Sequence, residues 1–188
     1  MSAIARSLEQ AGFDTFLPHR DGLERYVLRF AGRALPGLVP GVRGGVAAAV
    51  FALDVYELVD RCAAVVCNLN GRVPDEGMIV EAGIAFAVGT PVVLYKADAR
   101  APFGGRDNAM LTALARGGVE DRIDRLPERV RQELASAGAR GTPSPSLARA
   151  VADGARIRAV LDRLPAGLGT HDWPEEVIRQ VLAELGSS

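Results

Sequence analysis

The sequence predicts an α/β fold built on a parallel sheet, and three observations predict it. Ala63-Ala64-Val65-Val66-Cys67-Asn68-Leu69 is a continuous apolar run, too short for a helix and suited to a parallel strand buried on both faces. Pro91-Val92-Val93-Leu94-Tyr95 repeats that pattern. Between the two, Ile79 to Val88 reads as an apolar helix stopped at Gly89. Strand, helix and strand with short links make a βαβ unit, right-handed by the general rule for parallel crossovers.

The other elements follow in order. Ile4, Leu8 and Ala11 are apolar at helical spacing and Gly12 ends the run, so the first ten residues predict a helix. Phe13-Asp14-Thr15-Phe16-Leu17 alternates and predicts a short strand closed by Pro18. Residues 22–45 are rich in Gly, Pro and Arg, which predicts a mobile surface segment with one helical turn. That segment lacks the Gly-Lys-Ser/Thr ending of a phosphate-binding loop. Val46 to Arg61 is a helix pattern. A polar turn, Asn70 to Gly77, joins the first buried strand to the next helix. Residues 98–118 predict a polar loop with a central apolar patch, Met110-Leu111. From about 126 the pattern is helical, broken at Gly141-Thr142-Pro143-Ser144-Pro145, which predicts a linker to a helical tail.

Composition removes several function classes. The 188 residues carry a net charge of −1, whereas a dedicated nucleic-acid-binding domain is normally basic. No run approaches the ~18 apolar residues of a membrane span. MSAIARSLEQ has no basic-then-apolar signal layout. With only Cys62 and Cys67 no disulfide scaffold forms, and a reducing cytoplasm is the expected compartment. Both cysteines read as core thiols. Of 22 basic residues, Lys96 is the one lysine, an Arg bias such as a GC-rich genome imposes.

In an open parallel sheet, ligands bind beyond the carboxyl ends of the strands. The loop after residues 63–69 is that place, and it leads into Asp75-x-Gly77-x-x-x-Glu81. Gly77 permits a tight turn and a close approach by a ligand. Glu81, near the helix's free N–H groups, is expected to be the ionised partner. Asp75, beside another carboxylate, is expected to be the proton carrier. Two carboxyl groups so differentiated suit an acid and a nucleophile acting on one sugar. Acidic residues opening a helix also serve as plain caps. Against that, Val80, Ala82, Ile84, Ala85 and Phe86 give Glu81 an apolar setting, where a charge is rarely buried without a partner.

The string Asn68 to Gly77, then Glu81-Ala82-Gly83, then Pro91 to Lys96 resembles the nucleoside 2-deoxyribosyltransferase family, as does Gly12 to Asp21. The resemblance covers about residues 3–114 and is most specific over 63–100. It implies a flavodoxin-like parallel sheet with flanking helices over residues 1–125, followed by a helical C-terminal extension, 126–188. The family normally opens with a strand ending in a Gly-containing turn, and position 1 falls in the helix after it. The first strand is therefore expected to be absent, through a miscalled start codon, a truncation or a rearranged sheet, leaving the substrate pocket's completeness open.

By position, the resemblance makes Glu81 the nucleophile at C1′ of a 2′-deoxyribose and Asp75 the proton donor to the nucleobase. It makes Asp54 a second base-side aspartate and places Gly77 at the substrate. Asn108 and Met110 match an Asn-x-Met loop that reaches a neighbouring subunit's sugar, which implies a homo-oligomer with shared active sites. The expected partners are a nucleoside and a free nucleobase, with neither nucleic acid nor membrane. The chemistry calls for no cofactor and no metal, and His19 and His171 lack ligands at metal spacing. The leading expectation is base exchange through a glycosyl-Glu81 intermediate. The alternatives are an N-glycosidase acting on nucleosides or their 5′-monophosphates, and a non-catalytic nucleoside-binding module. Lys96, Asp98 and Arg100 read either as an ion-pair network or as a ligand rim, and His19 and Trp173 as structural.

Overall fold

A computed structural model describes residues 3–27, 40–100, 107–164 and 174–186. In chain order the helices and strands begin with α1 (Ala3–Gln10), α2 (Pro18–Asp21), α3 (Glu24–Val27) and α4 (Pro40–Tyr56), which runs into a π-helical turn, Glu57–Arg61. Next come β1 (Val65–Asn68), α5 (Glu76–Val88), β2 (Val92–Tyr95), α6 (Ala109–Thr112) and β3 (Val119–Glu120). A 3-10 turn, Ile123–Arg125, then leads to α7 (Leu126–Ala135), α8 (Pro145–Asp162) and α9 (Pro174–Gly186). Among these helices none is long and apolar enough to cross a membrane. Contacts gather the chain into two compact units: Met1–Thr15 with Arg61–Thr142, and Phe16–Asp60 with Pro143–Ser188.

The first unit carries the predicted βαβ motif. Its described strands form a parallel sheet in the order β1-β2-β3, with Val65 opposite Val92, Asn68 opposite Tyr95 and Leu94 opposite Val119. This is the expected α/β architecture, a parallel sheet flanked by helices. Side chains alternate across a strand. Val66, Val93 and Tyr95 therefore pack with Leu8 of α1 and Leu126 and Val130 of α7. Cys67 and Leu94 turn to the opposite face and are fully buried, as are Ala82 and Ala85 of the crossover helix α5. β2 is buried along its whole length, while Val65 and Val66 of β1 are half-buried. Gly89 ends α5 with φ at 79°, its N–H turned back onto the carbonyls of Ala85 and Phe86. A side chain is disfavoured in that left-handed conformation.

Three local expectations are corrected. Phe13 to Leu17 is not a strand, because alternation makes a strand only where a neighbour completes the ladder. Here the Phe13 N–H donates to the Leu8 carbonyl at 3.1 Å and the Leu17 N–H to Asp21 Oδ2 at 2.9 Å. The Phe13 ring lies under the Arg131 guanidinium instead, 5.3 Å from its centroid. α5 opens at Glu76 rather than Ile79, because Asp75 caps it. Within 98–118, the described residues 107–118 include the short helix α6, and β3 follows them as a strand not predicted. Residues 28–39 of the segment expected to be mobile, 101–106 of the polar loop, His171 and Trp173 lie outside the described residues.

Among its described residues, the regular structure of the second unit is helical. Leu23, Ala49, Leu53, Ile157, Val160 and Val181 form its core, contributed from α4, α8, α9 and the residue before α3. α8 crosses α4 at Gly154, where an added Cβ would lie 2.1 Å from the Ala52 carbonyl oxygen. The crossing is thus backbone against backbone. Glu57 is buried after α4 and faces Arg158 of α8 at 3.6 Å.

Candidate active site

The carboxyl ends of β1 and β2 are laced together by the loops that leave them. The Leu69 N–H donates to the Tyr95 carbonyl at 2.8 Å. The Ala97 N–H donates to Asn70 Oδ1 at 2.9 Å, and the Gly71 N–H to Asp98 Oδ2 at 3.2 Å. Arg100 grips Asp98 from the other side. That guanidinium holds the Asp98 carboxyl well below the usual carboxylate range, so Asp98 carries no proton to give near neutrality. The Asp98–Arg100 pair builds the rim through ion pairing, one of the two roles read for it.

Asp75 and Glu81 are brought to this edge by one helix. Asp75 is the N-cap of α5, in extended conformation, and its Oδ1 accepts the Met78 N–H at 2.9 Å. The capping position explains why the helix begins here, since a cap satisfies one of the otherwise orphaned first-turn donors. Glu81 therefore sits in the second turn, past the free N–H groups, and the helix terminus engages Asp75 instead. At ~100° per residue, Glu81 falls on the same side of α5 as the buried Ala85 and Val88. It faces β1, and its negative charge acts on the Cys67 thiol. Burial first, and that charge second, push Cys67 up to about 12. Cys67 is thus a neutral core thiol, and Glu81 lies near enough for its charge to act on it.

Gly77 is not in a turn but in the first turn of α5, and exposed. A Cβ there would meet Asp75 Oδ1 at 3.2 Å, so the absence of a side chain leaves the capping carboxylate its room. Asn108 caps α6, its Oδ1 accepting the Met110 N–H at 2.9 Å. Met110 is 81% exposed, whereas Leu111 beside it is buried. Asp75, Gly77, Glu81, Asn108 and Met110 all belong to the first unit. Asp54 lies on α4 in the second unit, half-buried. Sequence reasoning missed the Asn70–Ala97 and Gly71–Asp98 ties, which join loops 27 residues apart and leave no local pattern.

The outer face of α5 has its own character. Ile79, Val80 and Phe86 are 40%, 53% and 55% exposed, with Gly83 and Ala87 exposed between them. A helix apolar all round is normally covered on every side.

A family model described as nucleoside 2-deoxyribosyltransferase matches residues 1–110, more than half of the chain. The matched stretch contains Asp54, Asp75, Gly77, Glu81, Asn108 and Met110. No curated protein matches the chain.

Proposed function

The chain belongs to the nucleoside 2-deoxyribosyltransferase family, and from that premise we propose that it exchanges the nucleobase of a 2′-deoxynucleoside through a covalent Glu81 intermediate. The family is one of glycosyl-transferring enzymes. One observation supports the finer reading: α5 holds Asp75 at its cap and Glu81 a turn deeper, near Cys67 of β1.

In the first half-reaction the Glu81 carboxylate attacks C1′ as the C1′–N bond breaks. The bonding pair leaves with the base, and a proton from Asp75 Oδ2 neutralises it. Oδ1 stays with the Met78 N–H, so the donor is held while it gives up its proton. In the second half, a ring nitrogen of the incoming base attacks C1′ and the C1′–O bond to Glu81 breaks. Glu81 regains its charge and Asp75 recovers a proton from the incoming base. Two displacements at one carbon retain configuration. A 2-deoxy sugar lacks an electron-withdrawing hydroxyl, which brings its oxocarbenium-like transition state within reach of two carboxyl groups.

A homo-oligomer with shared sites completes the reading. The uncharged strip of Ile79, Val80, Gly83 and Phe86 on α5 supports it, as does the solvent-facing Met110. Asn108 and Met110 then reach the sugar bound by a neighbouring subunit.

The test is to incubate the protein with a deoxynucleoside, with and without a second free base, and to separate the products by chromatography. A new deoxynucleoside formed only with the second base is the expected result. Free base plus deoxyribose in both samples would make it an N-glycosidase. No product from folded protein would make it a binding module, and either result overturns base exchange.

The two functions of Asp75 separate by substitution. Asp75→Asn keeps a good N-cap, so it is expected to unfold at the wild-type temperature while turnover falls by ~10²-fold or more, the scale of a lost general acid. Asp75→Ala adds a stability loss of ~1 kcal/mol. Paired melting and rate measurements check this; equal melting temperatures for the two variants would remove the cap from the argument.

A further inference from the structure

We propose that the buried Lys96–Asp107 ion pair is a positioning clasp for the Asn108–Met110 turn, an inference that rests on the reading of that turn given above. Lys96 follows directly on β2, and its N–H donates to the Glu120 carbonyl at 2.9 Å. The base of the side chain is therefore fixed by the sheet. Its Nζ reaches Asp107 Oδ1 at 2.6 Å, and the two side chains are 8% and 11% exposed. Among the described residues no other ion pair is so deeply buried on both sides; Arg129–Glu133 comes nearest, at 21% and 13%.

Such a pair contributes little to stability, because the cost of desolvating each ion offsets their attraction and apolar replacements often do as well. Fixing one geometry is the better-attested use of a buried pair. What it fixes here is the chain next to it. Asp107 precedes Asn108, the cap of α6, and Leu111 is buried three residues on. The turn is thus pinned by an ion pair on one side and an apolar anchor on the other. Between those anchors Asn108, Ala109 and Met110 stand in solvent. The choice of cation agrees with this. The chain's other Lys/Arg residues are all arginine, yet a single short bond in a narrow, largely enclosed slot suits the compact ammonium rather than the broader guanidinium fork.

Lys96 and Asp107 are positioning residues, acting through Asn108 and Met110. The test uses Lys96→Met with Asp107→Leu in one chain, which removes both charges and leaves no uncompensated ion in the interior. Lys96→Met alone is carried beside it. The double variant is expected to melt within a few degrees of wild type while kcat/KM for the deoxynucleoside falls at least ~10-fold, the order of loss that a sub-ångström displacement of a binding group produces. Co-expression with a Glu81→Ala chain under a second tag is expected to recover activity in the mixed oligomer. There, one site combines an intact Glu81 with an intact clasp from the other subunit. A fold defect would not be repaired this way. Asn108→Ala with Glu81→Ala is the reference pair. Wild-type kcat/KM in the double variant overturns the clasp, as does failure to recover when the reference pair does. If the reference pair itself fails to recover, the shared-site reading is wrong and the clasp falls with it.

Discussion

Gly154→Ala lowers the stability of the chain, although replacing a glycine inside a helix by alanine ordinarily raises it. The helical gain is at most ~1 kcal/mol. Against it stands the α4–α8 crossing. The new methyl carbon would lie 2.1 Å from the Ala52 carbonyl oxygen, 2.8 Å from its carbonyl carbon and 2.5 Å from Tyr56 Cβ. Two of those atoms are backbone, so no rotamer change relieves the overlap and the helices must separate by an ångström or more. Overpacking of this kind costs ~1–3 kcal/mol and occasionally more. Separation would also loosen Leu53, Ile157 and Val160, which fill the same core. The net expectation is a loss of about 2 kcal/mol, or roughly 4–8 °C in melting temperature for a chain of this size. Calorimetry or denaturant titration decides it, and an unchanged or higher melting temperature would mean that α4 and α8 do not meet at Gly154.

That crossing also shows where the sequence stops being legible. Ile157, Val160 and Leu161 mark an apolar stripe on the tail helix, but a stripe does not name its partner, and Ala152-Asp153-Gly154-Ala155 contains nothing that points to α4. The central βαβ unit was readable because its signals are local: two short apolar runs, a helix between them and Gly89 at its end. Asp75 and Glu81 were readable for the same reason, lying on one continuous stretch with a glycine between. Which of the two meets the helix terminus was not, because α5 begins at Glu76 rather than Ile79, which makes Asp75 the cap and puts Glu81 in the second turn. Phe13 to Leu17 misled because alternation describes a half-buried extended segment with or without a hydrogen-bonding neighbour. β3, with only Val119 and Glu120, is too short to carry a pattern and exists because β2 supplies the ladder. Lys96 could be singled out by count alone; its meaning required Asp107, which the fold brings to it.

Glu81→Ala is expected to abolish base exchange, with a loss of ~10³-fold or more, as when a covalent nucleophile is deleted. The size of the effect follows from the role. In the proposed mechanism no covalent intermediate forms without the carboxylate, and the remaining groups contribute only binding and proton donation. A small external anion such as formate or azide, occupying the space left by the side chain, should attack C1′ in place of Glu81. Release of the base would then return, and the azide adduct would have inverted configuration because only one displacement takes place. Glu81→Gln, which fills the space, should lose exchange equally and not respond to the anion. A second readout checks the geometry without any substrate. The Glu81 charge is the lesser of two causes that push the Cys67 thiol up to about 12. A nearby negative charge disfavours the thiolate, so Glu81→Gln should lower the thiol's pKa part of the way, with burial keeping it above the free-cysteine value. Ultraviolet titration of the thiolate, with Cys67→Ala as the blank, measures that shift. Turnover of Glu81→Ala near the wild-type rate would end the nucleophile assignment. An unmoved Cys67 titration would instead show that the Glu81 charge does not reach Cys67, and the two results fail independently.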